Sequence, residues 1–435
     1  MEKKINVGLI GFGTIGRGVV RWMLEEGSTF VARKGFEVAL VRIADLDIRS
    51  SRGIAVPPEM LTTDAEEVLG DEDVDILIEL IGGLEPARTF ILKALSRGKS
   101  VVTANKALLS QHGEEIFRTA YENGVDVSFE ASVGGGIPII RGLRESLCTN
   151  RVDSLYGILN GTTNYILTRM ADEGRPFKEV LKEAQNAGYA EPDPTLDIRG
   201  KDAVQKLTIL LRMAFGSVFT GDQIFCEGVE HITPQDIEYA KELGYTIKLL
   251  AIAKRMDDRM EARVHPTMIP EGTLLAGIKD EFNAIELVGD WVGPQIFYGK
   301  GAGERPTTNA VVSDVVELAE RRLSGASSRA GELLAQDDGL SLIPMEEVRI
   351  PYYFRFLVTD RPGVLAQISR ILAEEQISIA SVIQKGRAQH EGTVPLIMMT
   401  HEAQERAVRS AIRRINTLDV VRDRVQVIRV EELGG

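Results

Sequence analysis

Residues 4–20 read KINVGLIGFGTIGRGVV. The apolar run Lys4–Ile10 predicts a buried parallel strand. Three glycines follow in GxGxxG spacing, Gly11, Gly13 and Gly16, and GVVRWMLEEG then continues at helical spacing. Strand, glycine turn and helix in that order predict a dinucleotide-binding unit. Gly11 permits the tight turn, Gly13 lets the backbone approach a pyrophosphate, and Gly16 lets helix and strand pack closely. Phe12, Thr14 and Ile15 complete the loop as candidate coenzyme contacts. The helix N-terminus adds free amides and a partial positive charge for the phosphates. A tight turn without a ligand is the plainer reading of the same residues.

The next strand is Phe36–Ala44, FEVALVRIA, ending at Asp45. A carboxylate at that tip takes ribose hydroxyls and favours NAD over NADP. Asp45 lies further from the glycines than the roughly 20 residues of the fingerprint, so an insertion lengthens the unit. Arg42, Arg49 and Arg52 stand close by for a 2′-phosphate, and DLDIRSSR also reads as a solvated turn, so coenzyme preference stays open. Strand-like runs recur at Val74–Gly83, Lys99–Ser110 and Gly124–Gly136, with helical stretches at Pro86–Arg97 and Glu114–Asn123 between them. This alternation predicts an α/β fold, a doubly wound parallel sheet with ligands beyond the carboxyl ends of its strands. Thr103, Asn105, Lys106 and the loop EASVGGG fall there.

Composition bounds the partners. The 435 residues carry a formal charge of −13, which argues against broad nucleic-acid or anionic-membrane binding. The N-terminus leads straight into a strand, without a signal core, and no apolar run reaches the ~18 residues of a membrane helix. Cys148 and Cys226 make neither a disulfide framework nor a zinc motif, and the five histidines form no ligand pattern. A cytoplasmic protein is expected.

In the middle of the chain, GILNGTTNYILTRM opens with small polar residues and becomes helical. The stretch AEPDPTLDIRGKDAVQK, Ala190–Lys206, gives a proline-punctuated loop and a helix beginning near Gly200. Asp202 and Lys206 are four apart and share a helix face. Ala203, Leu207, Leu210 and Ala214 form the adjacent apolar stripe, placing the pair at the edge of the buried face. A partly desolvated lysine beside a carboxylate can be tuned for proton transfer. An ordinary surface pair, worth ~0.3–0.5 kcal/mol, has the same spacing.

The run AQNAGYAEPDPTLDIRGKDAVQK, Ala184–Lys206, resembles the signature of homoserine dehydrogenases. GFGTIG, TANKALL, EASVGGGIPII and GILNGTTNYIL appear in that family's order, and the likeness covers about residues 1–330. It implies NAD(P)-dependent interconversion of L-homoserine and aspartate 4-semialdehyde, on the way to threonine, methionine and isoleucine. By the resemblance Lys206 is the acid/base oriented by Asp202, and Lys106 lies on the coenzyme side near the reacting oxygen. Glu191 takes the substrate ammonium as a buried carboxylate, with Asp197 and Gly188 in the same loop; Gly188, Thr103, Lys106 and Gly303 also border the coenzyme. EASVGGG resembles the family's monovalent-cation site (Na or K), with Glu130 offering carboxylate or backbone oxygen and Val133, Gly135 and Ile137 offering carbonyls. A hinge between domains is the alternative for that loop.

The expected organisation is a nucleotide domain over 1–140, completed by about 300–325, and an α+β substrate and dimerisation domain over 141–300. A linker follows over 326–349. Residues 350–435 read strand, helix, strand, strand, helix, strand, which is ferredoxin-like. The turn Asp360-Arg361-Pro362-Gly363-Val364-Leu365 resembles that of ACT domains, implying an amino-acid effector, most often threonine, held by Asp360, Gly363, Val364 and Leu365. Ser378 stands where such domains often carry Asn, so a dimerising module without a ligand competes with that reading. A homodimer or homotetramer is expected. Two other functions compete with the leading one: a dehydrogenase of another small hydroxy or amino acid, and a non-catalytic amino-acid sensor. An aspartate-semialdehyde dehydrogenase would need a nucleophilic thiol, for which neither cysteine has the setting.

Overall fold

The structure, a computed structural model, describes residues 3–27, 33–334, 340–384 and 392–433. The chain forms two units. The first comprises Met1–Asp153, Asp202–Ile224 and Phe282–Gly339, and the second Ser154–Lys201, Phe225–Glu281 and Leu340–Gly435.

In the first unit the chain runs β1 (Lys3–Ile10), α1 (Thr14–Arg21), β2 (Phe36–Ala44), β3 (Leu61–Thr62) and β4 (Ile76–Glu79). Then come α2 (Ala87–Ser96), β5 (Ser100–Thr103), α3 (Lys106–Glu122) and β6 (Val127–Ser128). The strands are all parallel, in the order β3-β2-β1-β4-β5-β6. This is the doubly wound dinucleotide-binding arrangement, as the sequence led us to expect. Its strands are buried on both faces because they are continuous apolar runs; Val7, Leu9, Ile43, Ile78 and Val102 share a core with Val19 of α1. The run Lys99–Ser110 divides: the strand stops at Thr103, and α3 begins two turns before the expected Glu114. The Asn105 side chain causes this by accepting from the Leu108 amide at 3.1 Å, capping the helix early.

A long helix, Glu304–Ser324, completes the unit from far along the chain. It lies against α1 so closely that a Cβ on Gly18 would collide with the Thr308 hydroxyl. Glu304 pairs with Arg17 and Arg21 of α1.

The second unit is built on one mixed sheet. Strands β7 (Val152–Ile158), β9 (Tyr245–Met256) and β10 (Arg259–Pro270) are neighbours, and β9 and β10 are antiparallel along their whole length. Three segments share the other edge of β10: Ser341–Leu342 at its start, β8 (Phe225–Cys226) in the middle, and β14 (Gln426–Val430) at its end. The C-terminal module, β11 (Tyr352–Thr359), β12 (Ile379–Gln384), β13 (Thr393–Thr400) and β14, has the order β14-β11-β13-β12 and is antiparallel. Helices Val364–Glu374 and Glu405–Ile415 complete its ferredoxin-like fold. Their buried residues Ile368, Leu372, Val408 and Ala411 pack with Phe354 and Phe356 of β11.

The stretch 326–349, expected to be an irregular linker, is anchored. It forms helical turns at Ala330–Leu333 and Met345–Glu347 and pairs with β10 at Ser341–Leu342. Its apolar residues Leu333, Met345 and Val348 are buried, which explains the anchoring. Residues 335–339 of that stretch, and Lys385 and Gly386 at the end of the expected second strand of the module, lie outside the described residues.

Candidate active site

The glycine loop has the geometry its spacing asked for. Gly11 has φ 105°, and its amide donates to the Ala44 carbonyl at 2.9 Å, tying the loop to β2. A Cβ on Gly16 would collide with the Gly11 carbonyl, so this glycine is required by packing. A Cβ on Gly13 would meet nothing within 4 Å. Its bareness therefore has no cause within the protein and fits a backbone kept open for phosphate. Gly13 and Thr14 are exposed, and the first helical bond of α1, Arg17 N–H to Gly13 O, leaves the amides of Thr14 and Ile15 ahead of it. These residues fit a dinucleotide. Phe12 contributes differently from the expectation: its ring is buried in the core and its amide donates to Asp45 Oδ2 at 2.6 Å. Gly16→Ala is expected to cost about 1–3 kcal/mol in stability and to raise the coenzyme KM; thermal unfolding and a coenzyme titration check both.

Asp45 stitches the tip of β2 to this loop. Its Oδ1 accepts from the Asp47 amide at 2.8 Å and faces Arg52 at 3.5 Å, while the Arg52 guanidinium lies 5.7 Å from the Phe12 ring centroid. Arg42 turns away, bonded to Asp71 at 3.0 Å and Glu67 at 3.4 Å, which removes it from the set of phosphate candidates. Arg52 stays beside Asp45, and the Arg49 amide donates to Asp47 Oδ1 at 3.1 Å.

At the carboxyl end of the sheet, Glu79 is fully buried and accepts from the amides of Ile81 and Gly82 and from the Thr103 hydroxyl at 2.7 Å. Thr103 was expected at the coenzyme. It is itself fully buried, and its oxygen also accepts from the Asn105 amide at 3.0 Å, so its side chain holds the loop. Sequence reasoning missed Glu79; an acid ending the apolar strand ILIE was its signal.

The loop fixed in this way starts α3 at Lys106. Lys106 Nζ lies 2.8 Å from Asp202 Oδ1, and Lys206 Nζ lies 2.7 Å from Asp202 Oδ2. One carboxylate thus holds two ammonium groups side by side. Asp202 and Lys206 are deeper than the helix pattern suggested, with side chains 6% and 10% exposed, whereas Lys106 is 39% exposed. A buried ion pair on one helix face would be a structural feature. A second lysine from another element, open to solvent on the same carboxylate, makes the cluster a place for an anion or alkoxide to form.

In the second unit, Asn160 caps the helix Gly161–Glu173 by accepting from the Thr163 amide at 2.8 Å. The same side chain donates to Asp197 Oδ1 at 2.7 Å. Thr162 donates to the Tyr189 carbonyl at 2.8 Å, between Gly188 and Glu191. The start of NGTTNYIL therefore holds the loop of Gly188, Glu191 and Asp197. Asn160 and Thr162 were not singled out from the sequence, although the small polar NGTT was their sign. Glu191 is exposed where a buried carboxylate was expected, and its carbonyl accepts from the Gln185 side-chain amide at 3.2 Å. Asp193 closes the turn by accepting from Thr195 at 2.6 Å.

Comparison with known proteins settles what these pieces belong to. Residues 138–316 match the family model described as homoserine dehydrogenase, and residues 11–130 match its NAD-binding domain. The chain is 42% identical to the homoserine dehydrogenase of Neisseria gonorrhoeae over 434 residues, covering 99% of each. The chain belongs to the homoserine dehydrogenase family. With that of Pseudomonas aeruginosa it shares 43% identity over 99% of this chain and all of the relative. The crystal structure of a homoserine dehydrogenase from Thiobacillus denitrificans superposes with a TM-score of 0.91, at 46% identity and 99% coverage of both chains. A hyperthermophilic archaeal homoserine dehydrogenase solved in complex with NADPH matches 73% of the chain and 98% of its own, at TM-score 0.61 and 25% identity. Residues 352–419 match the ACT domain. The protein is thus an NAD(P)-dependent oxidoreductase acting on homoserine, and the alternative functions weighed on the sequence are not favoured.

In this homoserine dehydrogenase the EASVGGG loop is buried from Glu130 to Gly135. The Glu130 carboxylate accepts from the amides of Ile140 and Arg141, each at 2.8 Å, and burial raises its pKa. It caps the next helical turn, so a cation in the loop would rely on the carbonyls of Val133, Gly135 and Ile137. Asp314 of the long helix accepts from the Glu130 amide at 2.8 Å. Gly303 is the residue before that helix, with φ 115°. Among the described residues no group of three or more His, Cys, Asp and Glu is arranged to hold a metal ion, and no helix is long and apolar enough to cross a membrane.

In the ACT domain the Asp360 amide donates to the Gly392 carbonyl at 2.9 Å, and Gly363, with φ 90°, starts the helix Val364–Glu374. Val364 was expected among the effector contacts. Its side chain is buried in the module core, while Leu365 is exposed.

Proposed function

We propose that Lys206, Asp202 and Lys106 carry the proton and charge in the interconversion of L-homoserine and aspartate 4-semialdehyde. The observation behind this reading is the pair of lysines on the single Asp202 carboxylate. In the oxidising direction Lys206 Nζ takes the proton of the alcohol, and in the reducing direction it returns it. Lys106, the more exposed ammonium, faces the developing alkoxide and stabilises it. Glu191 takes the substrate ammonium, and Asp197, held by Asn160, orients the loop that also carries Gly188. The coenzyme supplies the hydride acceptor when bound, over Gly11, Gly13, Thr14, Ile15 and Gly16, with Gly303 alongside.

Arg52 beside Asp45, with Arg49 in the same loop, and the NADPH complex of the archaeal relative support NADP, while Asp45 itself supports NAD. A monovalent cation in the EASVGGG loop, threonine as an effector at the Asp360–Leu365 turn, a homodimer or homotetramer and a cytoplasmic location complete the reading. Purified chain should reduce NAD or NADP with homoserine at alkaline pH, where release of the alcohol proton is favoured; no turnover with either coenzyme in folded protein would overturn the reading. Threonine at millimolar concentration is expected to lower that rate; unchanged rate, thermal stability and oligomeric state would leave the last domain a ligand-free dimerising module.

A further inference from the structure

The C-terminal module reaches the segment that starts the catalytic helix. Arg429, on β14, is buried and stands 4.7 Å from the Phe225 ring centroid on β8. Its guanidinium binds Glu405 of the module at 2.7 and 3.0 Å, with Tyr352 donating to the same carboxylate at 2.8 Å. Its remaining nitrogen crosses to Glu227, just after β8, at 2.7 Å. Glu227 also faces His231 at 3.0 Å, and its amide donates to the Val264 carbonyl on β10 at 2.9 Å.

Residues 226–230 in turn grip residues 198–200. The Cys226 thiol donates to the Arg199 carbonyl at 3.0 Å, the Val229 amide to the Ile198 carbonyl at 2.9 Å, and Arg199 pairs with Glu230 at 3.4 Å. Any side chain on Gly228 would collide with the Ile198 carbonyl. Gly200, at φ 77°, already has Cys226 Sγ 3.1 Å from where a Cβ would stand. The helix of Asp202 and Lys206 begins at the next residue, Lys201. The residues that precede that helix, 198–200, are therefore held by a segment clamped between β10 and an arginine of the module. Glu405 takes only Nε and one Nη of this buried guanidinium, so the other Nη depends on Glu227 for its partner.

We propose that the Arg429–Glu227 pair is a joint through which the C-terminal module holds residues 198–201, the stretch that leads into Asp202, making both positioning residues for turnover. This rests on the roles given above to Asp202 and Lys206. Misplacing a reacting group by about 1 Å costs up to roughly 100-fold in rate, even when the change lies far from the chemistry. In the full-length chain Glu227→Gln is expected to lower kcat about tenfold with coenzyme KM unchanged. Adding Arg429→Met should lower it little further, because both act through one joint. Glu347→Gln breaks a contact that β10 makes with the stretch before the module, Arg259–Glu347 at 2.9 Å, and should leave kcat unaltered. Hydrogen exchange at residues 198–206 reads the joint without turnover and should quicken in Glu227→Gln but not in Glu347→Gln. Should Arg429→Met fail to fold, the Glu227→Gln and Glu347→Gln pair decides. Wild-type kcat and exchange in folded Glu227→Gln, or equal losses in Glu347→Gln, would overturn the proposal. Faster exchange in Glu227→Gln, in a chain that does not oxidise homoserine at all, would leave the joint standing and overturn the functional reading.

Discussion

Replacing Lys206 by alanine is expected to lower kcat for homoserine about 10³-fold, within the range for loss of a general acid/base, and to leave the coenzyme KM nearly unchanged. Lys206 lies on a helix and bonds Asp202 at 2.7 Å, so its loss removes a proton carrier without disturbing the glycine loop. The Asp202–Lys106 pair at 2.8 Å persists and retains the second ammonium. Lys206→Arg is an informative companion. Guanidinium keeps the charge and the ion pair but does not give up its proton, so it should rescue stability and not turnover. Steady-state kinetics on variants matched by thermal unfolding would check this. Near-normal turnover in folded Lys206→Ala would move the proton-transfer role to another group.

Asp202→Asn is expected to cost roughly 10²-fold or more in kcat, and also about 3 kcal/mol in stability, because it removes the counter-charge of a largely buried ammonium. The two losses have separate causes. The amide matches the carboxylate in shape but leaves Lys106 and Lys206 facing each other with no negative charge between them. Like charges then spread the lysines and dissolve the geometry that stabilises an alkoxide. Chemical denaturation and kinetics on the same preparation would separate the effects. A stable variant with wild-type kcat would reduce the cluster to a structural ion pair.

What the sequence revealed divides along a physical line. The nucleotide fold was legible because a parallel strand buried on both faces is a continuous apolar run, and because Gly11 and Gly16 answer steric demands that no other residue meets. Asp202 and Lys206 were legible as a pair because helical spacing is local. That Lys106 shares their carboxylate was not, since the contact joins residues nearly a hundred positions apart. Asn105 escaped for the opposite reason: the cap is local, but an asparagine after VVT reads equally well as a loop residue. Thr103 and Val364 were assigned to ligands by their place in a motif, yet both are buried, and motif position carries no information on which way a side chain faces. The anchored stretch 326–349 misled because small polar composition masked the few apolar residues, Leu333, Met345 and Val348, that secure it. Charge pairs such as Arg429–Glu227 leave no trace in local pattern at all.

The most direct test follows the hydride. L-homoserine carrying deuterium on its alcohol carbon should be oxidised by the full-length chain with a primary isotope effect in single-turnover experiments. One deuterium should appear on the nicotinamide ring, and aspartate 4-semialdehyde should be the product. Coenzyme reduction with no deuterium on the ring, or labelled homoserine left unconsumed by folded protein with either coenzyme, would contradict the assignment.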